Sequence, residues 1–241
     1  MALGETITIP ENVHGYPEVA FGGWVAGLLA GRSGAQTVRV DFRRAVPVGS
    51  PVVLPPADGE RVTLTDTDGT LLVEAAPSSL TVAAPPAPSW SEAKRATETA
   101  LSSPKRPVTD CYGCGVDVAP GRGLRLFPWA LPDRQIMAAA WTPDQGLADE
   151  FGELPPEVVW STLDCPGGIA AWVFSKLGQG AFTAALTATQ FQPVLAGAEY
   201  IAYAWPLHGE GRKRTVGVAL STPDGDLCAL AEALWIGPRP A

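Results

Sequence analysis

The sequence predicts an α+β protein made of two similar units, each a curved antiparallel sheet wrapped around one central helix. Three observations support this prediction: a Gly-Gly step before an apolar segment occurs twice, a similar order of strand-like segments follows each step, and breakers of long helices are abundant. The 241 residues include 26 Gly and 24 Pro, and 46% are hydrophobic. This composition supplies a large core but disfavours long helices.

The two Gly-Gly steps mark the predicted central helices. Gly22-Gly23 precedes WVAGLLAG, and Gly167-Gly168 precedes IAAWVFSKLG. Each apolar segment ends in glycine, here Gly31 and Gly178, and glycine is favoured just after a helix C-terminus. A helix that is apolar on nearly every face is buried on most of its surface, so we expect the sheet to wrap it.

The strand-like segments recur in the same order. VRVDFRRAVPVGSPVVL and LTATQFQPVLAGAEYIAYA each contain a strand, a step of Pro and Val, a glycine and another strand. Two β-rich runs then follow in each half, joined at Asp68-Gly69 and at Asp224-Gly225, a pair favoured in tight hairpins. We therefore predict a duplication, with units over 1–84 and 108–241. The Pro-rich segment 85–107 is the predicted linker, with a short helix near Ser91 to Leu101.

Charge and local motifs exclude several classes of function. Lys plus Arg number 17 against 25 for Asp plus Glu, a net charge of −8, which argues against a nucleic-acid binder. The apolar stretch from Val19 to Gly31 is shorter than the ~20 residues of a membrane span. The first residues lack a secretion signal, so we expect a cytoplasmic protein. Two histidines and the lack of a G-x-S-x-G motif disfavour a Ser-His-Asp hydrolase.

The four cysteines do not indicate a disulfide framework in a chain of this length. Cys111 and Cys114 form a C-x-x-C pair, but a structural zinc site needs two more ligands, and Cys165 and Cys228 stand apart in the sequence. We therefore expect no metal and no cofactor, and interpret the pair as loop-forming residues.

Three motifs carry a resemblance to a known family. They are Cys111-Tyr-Gly-Cys114-Gly115 through Gly121-Arg-Gly123-Leu124, then Leu163-Asp164-Cys165-Pro166-Gly167-Gly168, and Gly15 followed by Phe21-Gly22-Gly23. Taken in their order along the chain, these motifs resemble those of the double-hotdog thioesterase-like proteins of bacteria, and the resemblance covers nearly the whole sequence. The motif that begins at Cys111 is similar to the C-x-x-C-G segment of phenylacetate-type thioesterase relatives. The resemblance implies a tandem hotdog fold that acts on acyl-coenzyme A or acyl-carrier thioesters between its two units. It also implies that two such chains associate into a homodimer.

The glycines at the two helix starts are the expected substrate-binding positions. Unpaired backbone N–H groups and the positive end of the helix dipole can hold a thioester oxygen there. Gly22, Gly23, Gly167 and Gly168 would let the substrate approach the backbone closely. The alternative is that these glycines only allow tight turns or helix–sheet packing.

Asp164 is the first catalytic candidate, because it precedes the second Gly-Gly step in an apolar stretch. Desolvation disfavours the charged form of a carboxylate, whereas nearby N–H groups favour it. The balance of these two effects sets the pKa of a general base. The alternative is an ordinary N-cap, a position that Asp prefers. His14 could face Asp164 and transfer a proton near neutral pH, unless it is a surface-loop residue. Gln190 could bind a water or a carbonyl, unless it faces solvent.

For coenzyme A, Arg43 and Arg44 are candidate phosphate ligands, since the planar guanidinium group suits phosphate. The alternative is that these charges only keep the surface soluble.

The chain also departs from the phenylacetate-type pattern, which has a His-Gly-Gly and an acidic residue within the helix. Here Phe21 replaces that histidine, and neither predicted helix contains a carboxylate. Three functions therefore stay open: a thioesterase using Asp164, a non-catalytic binder of acyl or other hydrophobic molecules, and an enoyl-thioester hydratase or dehydratase using Asp164 and His14.

Overall fold

The computed structural model describes residues 4–103, 108–178 and 180–239. The strands are β1 (Glu5–Thr8), β2 (His14–Tyr16), β3 (Val19–Ala20), β4 (Thr37–Phe42), β5 (Pro51–Leu54), β6 (Val62–Thr65), β7 (Leu71–Pro77), β8 (Trp129–Ala130), β9 (Met137–Trp141), β10 (Phe182–Gln190), β11 (Tyr200–Glu210), β12 (Lys213–Ser221) and β13 (Leu227–Ile236). The α-helices are α1 (Gly22–Ser33), α2 (Trp90–Ser102), α3 (Pro156–Ser161) and α4 (Cys165–Ser175), and a single 3₁₀ turn covers Gln145–Leu147.

Among the described residues, most strands form one large antiparallel sheet instead of the two curved sheets that the sequence predicts, and β2 pairs with β3 in a small separate sheet. Eleven strands are hydrogen-bonded in the order β1-β5-β6-β7-β4-β10-β13-β12-β11-β9-β8. The joint between the halves is the β4–β10 pair, whose register runs from Ala185 opposite Asp41 to Thr189 opposite Thr37. The hydroxyl oxygens of Thr37 and Thr189 lie 2.7 Å apart across this joint. Pairing of these two strands removes the free edges that would otherwise separate two sheets.

The first central helix begins at the predicted glycines but runs past its predicted end. Gly31 lies inside α1, and the helix ends at Gly34, whose φ of 74° gives the left-handed conformation of a helix C-terminus. Eight of the twelve residues of α1 are buried, and the helix packs against the short helix α3. A Cβ atom at Gly27 would collide with the backbone of Pro156 and Glu157, so glycine allows this close contact.

The second central helix, α4, is less enclosed than its apolar sequence predicts. Pro166, Gly167, Ala170 and Ala171 are buried, and the helix packs on β11 and β12. Trp172 and Val173 are 43% and 47% exposed, because the small residues pack on the sheet while these larger ones point away from it. The helix ends at Lys176 in the left-handed conformation, two residues before the predicted Gly178.

A helix also lies where the sequence predicts one within segment 85–107. Ser89 and Glu92 form a capping box at the start of α2, in which each side chain accepts a hydrogen bond from the other residue's backbone N–H. Ala93, Ala96 and Ala100 are buried, and α2 packs on β9. In the part of the chain described here, no helix is both long and apolar enough to cross a membrane.

Candidate active site

The carboxylate of Asp164 joins the starts of the two central helices. Asp164 directly precedes α4, yet its side chain does not cap that helix. Instead, one carboxylate oxygen accepts a hydrogen bond of 2.7 Å from the backbone N–H of Gly23, the second residue of α1. The other oxygen accepts a hydrogen bond of 2.7 Å from the hydroxyl of Thr183, at the start of β10. The side chain therefore binds the first turn of the opposite helix instead of its own.

Two local features of the sequence create this arrangement. The short helix α3 ends at Ser161, and Leu163 and Asp164 donate backbone hydrogen bonds to Trp160 and Ser161, so the chain turns before α4 begins. A Cβ atom at Gly23 would lie 2.7 Å from Ser161 Cα and 2.9 Å from Asp164 Cβ. Glycine therefore lets the start of α1 approach the turn between α3 and α4.

The environment of Asp164 suits a group that exchanges a proton near neutral pH. The residue is only 2% exposed, and burial raises the pKa of its carboxyl to about 6 against the opposing hydrogen bonds from Thr183 and Gly23. The charge of the nearby Cys111 adds to the increase in pKa. A carboxylate with such a pKa can act as a general base at physiological pH.

His14 lies near this region, but its ring bonds to groups other than Asp164. Nδ1 is 2.8 Å from the carbonyl oxygen of Glu11, and Nε2 is 3.1 Å from a carboxylate oxygen of Asp110. Burial opposes protonation of the ring, but these two contacts outweigh it and raise the pKa of His14. The structure thus pairs His14 with Asp110 and does not bring it into the hydrogen-bonded group around Asp164.

Gln190 lies away from Asp164, and Arg43, one of the two predicted phosphate ligands, is bound by a carboxylate. Gln190 is seven residues along β10 from Thr183, about 23 Å for an extended strand, and its amide donates to the carbonyl of Gln192. Arg43 forms an ion pair with Glu74, which also binds Arg61. Arg44 is exposed. Gln190 therefore lies toward the other end of β10 from the Thr183–Asp164 hydrogen bond, and the suggested roles of Gln190, Arg43 and Arg44 stay predictions.

The second pair of glycines serves close packing. A Cβ atom at Gly167 would lie 2.9 Å from a methyl group of Val218, and one at Gly168 would lie 2.6 Å from the ring of Trp235. The N–H of Gly168 donates to the carbonyl of Asp164 within the helix. These contacts match the packing alternative, whereas Gly22 and Gly23 face the Asp164 carboxylate and Thr183.

Sequence reasoning missed two neighbours of Asp164. Thr183 gives no local signal, since it is one of several threonines in its strand. Tyr16, on β2, donates its hydroxyl to the carbonyl of Ala181, and its ring centroid is 5.0 Å from that of Phe182. The pKa of the Tyr16 phenol is raised mainly by burial. The nearby charges of Cys165, Cys111 and Asp164 add to this increase. Tyr16 therefore stands beside the strand residue that binds the carboxylate.

The structure also corrects the interpretation of the cysteines. Cys165, expected to stand apart from the C-x-x-C pair, is the first residue of α4, and its sulfur lies 3.8 Å from that of Cys111. Hydrogen bonds from the Cys114 and Cys165 thiols hold the pKa of Cys111 well below its usual range. Cys228 is buried on β13. Its thiol lies 3.5 Å from the amide nitrogen of Gln192, outside the three-cysteine group.

Two clefts on the protein surface lie away from Asp164. One, of about 380 Å³, is lined by residues that include Pro206 and His208. The other, of about 310 Å³, lies between Leu101 of α2 and Trp141 of β9. Neither cleft is lined by Asp164. Asp164 is only 2% exposed, so substrate access to its carboxylate requires movement of the residues that cover it.

Solved structures share this architecture over nearly the whole chain. The TesB protein of Mycobacterium avium subsp. paratuberculosis superposes with a TM-score of 0.65 at 14% identity, covering 98% of this chain and 94% of that one. Acyl-CoA thioesterase II TesB2 of Mycobacterium marinum gives 0.56 at 13% identity, covering 91% of each chain. A protein of unknown function with a hotdog fold from Alicyclobacillus acidocaldarius gives 0.56 at 14% identity, covering 100% and 95%.

No family model and no curated protein matches the sequence. At these identities the structural likeness establishes the fold, and with it the class of architecture. The chain therefore has the hotdog fold that these solved structures share.

Proposed function

We propose that this protein hydrolyses acyl thioesters carried by coenzyme A or by an acyl carrier protein, with Asp164 as the general base. The observation that carries the proposal is the Asp164 carboxylate, buried between the start of α1 and Thr183 with a pKa of about 6. The solved structures with the same fold, described as TesB and as acyl-CoA thioesterase II, support the same class of reaction.

In the proposed reaction, Asp164 takes a proton from a water molecule whose oxygen attacks the thioester carbonyl. The hydroxyl of Thr183 orients the carboxylate, and the N–H groups that begin α1 stabilise the oxyanion. The N–H of Gly23 now donates to Asp164. Protonation makes the carboxyl a weaker acceptor, so this N–H becomes available as charge develops on the substrate oxygen. When the C–S bond breaks, Asp164 returns the proton to the thiolate and the products are a carboxylic acid and a thiol.

The proposed site needs both halves of the chain, because Gly23 comes from segment 1–84 while Asp164 and Thr183 come from segment 108–241. We also propose these segments as the two hotdog units and 85–107 as their connection. Association of two such chains into a homodimer is part of the same proposal.

The test is hydrolysis of a panel of acyl-coenzyme A and acyl-carrier thioesters by the wild type and by Asp164→Asn. Loss of a general base lowers kcat by roughly 10²–10⁴-fold. We expect a loss in this range, with wild-type kcat/KM falling as the pH drops below about 6 and Asp164 becomes protonated. Asp41→Asn is the matched control, since Asp41 pairs with Arg39 on β4 and should keep wild-type activity. Equal rates for Asp164→Asn and the wild type would remove Asp164 from the mechanism.

One observation favours a second candidate, a non-catalytic binder of acyl or other hydrophobic molecules. Both carboxylate oxygens of Asp164 are occupied, and the residue is 2% exposed. In that case Asp164 serves only to cap α1. A copurified hydrophobic ligand, identified by mass spectrometry in a preparation that hydrolyses none of the thioesters, would favour the binder. The hydratase alternative receives no comparable support, because His14 pairs with Asp110.

A further inference from the structure

Three cysteines from separate segments gather beside the start of α4. The sulfur atoms of Cys111, Cys114 and Cys165 all lie within 4.8 Å of one another. Cys111 and Cys165 are 54 residues apart in sequence, and their sulfurs are 3.8 Å apart. Such a group is the kind of donor set that binds a thiophilic metal ion.

The spacing of the sulfurs fits metal coordination better than a disulfide. A Zn–S bond of about 2.3 Å in a tetrahedral site places two sulfur ligands about 3.8 Å apart. The separation of Cys111 and Cys165 sulfurs has this value. A disulfide needs about 2.05 Å between its sulfurs. The third sulfur, within 4.8 Å, needs to move by only about 1 Å to complete the same spacing.

The chain around Cys111 is shaped to hold its sulfur. Backbone N–H groups of Gly113 and Cys114 donate to that sulfur, and the N–H of Gly115 donates to the Cys111 carbonyl at 2.7 Å. A Cβ atom at Gly113 would lie 2.7 Å from the Cys165 sulfur and 2.7 Å from the ring of Phe21. The turn therefore presents its sulfurs to Cys165 and leaves no room for a side chain between them.

The electrostatic setting also favours a cation. Cys165 is the first residue of α4, an 11-residue helix whose positive end favours a thiolate, but hydrogen bonds with Cys111 and Cys114 raise the pKa of its thiol, so metal binding must displace that proton. Three thiolates together with the nearby Asp164 carboxylate would repel one another without a positive charge between them. The His14 ring lies near Cys111 but is held by Glu11 and Asp110.

We propose that Cys111, Cys114 and Cys165 bind one Zn²⁺ ion. Among the described residues, no histidine, aspartate, glutamate or fourth cysteine joins this group. Cys114 and Cys165 are partly exposed, so water supplies the fourth ligand. The ion would fix the Cys111 loop to the start of α4, one residue after Asp164. This proposal does not rest on the proposed hydrolase activity, because metal binding is measured directly.

The test is metal content and spectroscopy on the full chain, purified under reducing, oxygen-free conditions. After incubation with Zn²⁺ and removal of free metal, elemental analysis should give one zinc per chain. Titration with Co²⁺ in place of zinc should give the thiolate-to-cobalt charge-transfer bands and the visible bands of a tetrahedral site. We expect Cys111→Ser, Cys114→Ser and Cys165→Ser each to weaken zinc binding by more than the roughly 10–100-fold typical of an outer-shell change.

Cys228→Ser is the matched control, since Cys228 lies outside the group and should keep one zinc per chain. If Cys111→Ser does not fold, the partly exposed Cys114→Ser and the wild-type Co²⁺ spectrum still decide the question. A fully reduced wild type that retains no zinc would overturn the proposal. Unchanged affinity in Cys165→Ser, or a Cys111–Cys165 disulfide in place of bound metal, would do the same.

Discussion

The Asp164 carboxylate is buried, and burial of its charge makes the free energy of unfolding depend on pH. Burial raises the pKa of its carboxyl from 3.8 to about 6 in the folded chain. Above pH 6 the folded state must keep a carboxylate that it disfavours. As the pH falls through 6 the folded state takes up a proton first, and the two states become equally protonated only well below the unfolded pKa of 3.8.

We therefore predict that Asp164→Asn changes the pH dependence of stability. An amide can accept from the Gly23 N–H and donate to the Thr183 hydroxyl oxygen, so it fits the site without a charge. A shift of about two pKa units corresponds to about 3 kcal/mol. The free energy of unfolding of the variant minus that of the wild type should increase by about 2.4 kcal/mol of this total between pH 4 and pH 7. Urea unfolding at several pH values measures this difference, and a difference that does not vary with pH would contradict the raised pKa.

Residues of the site differ in how far the sequence predicts them. Asp164 could be proposed because a carboxylate in an apolar stretch before a helix is a local signal. Thr183 could not, because its contact depends on where β10 passes the start of α4. The contact between Cys165 and Cys111 was missed for the same reason. The distance of Gln190 from Thr183 depends on the length of β10, which local sequence signals do not define.

At the scale of elements, the contact between α1 and α3 controls the position of the Asp164 turn. The α3 helix ends just before this turn, and its first residues lie against Gly27 in the middle of α1. A second glycine of α1, Gly31, lies one turn further along and faces the Pro156 ring, where a Cβ would be 3.1 Å from the nearest ring carbon. The two glycines therefore allow a comparison on one helix between a Cβ that would meet backbone atoms, at Gly27, and one that would meet only a side-chain ring, at Gly31.

We predict that Gly27→Ala destabilises the protein although alanine is the better helix former. Alanine gains about 1 kcal/mol in helix propensity, but overpacking in a tight contact costs about 1–3 kcal/mol or more. The added Cβ would clash with backbone atoms of Pro156 and Glu157, which cannot change rotamer to make room. The net loss in unfolding free energy should be about 2 kcal/mol by urea denaturation. Gly31→Ala should stay within about 1 kcal/mol of the wild type; equal stability of the two variants would show that α1 and α3 can separate freely.

At the scale of the whole molecule, the continuous sheet was the feature that local sequence patterns did not predict. The repeated Gly-Gly steps and hairpin signals correctly placed both central helices and most strands. They contain no information on whether β4 and β10, which lie more than a hundred residues apart, pair edge to edge. That pairing, with the bond from Gly23 to Asp164, ties the two halves together through both backbone and side chain.

We predict from these links that both halves unfold in a single cooperative step. Separating them would expose the edges of β4 and β10 and would leave the buried Asp164 carboxylate without the Gly23 N–H, so a state with one half folded is costly. Hydrogen exchange with mass spectrometry at increasing urea should show peptides from α1 and α4 losing protection together. Gly27→Ala weakens a further contact between the halves, since α1 belongs to segment 1–84 and α3 to segment 108–241, and it should lower the opening free energy of both peptides equally. If α1 exchanged at low urea while α4 stayed protected, the halves would be separate folding units, and the bond between Gly23 and Asp164 would form only after each had folded.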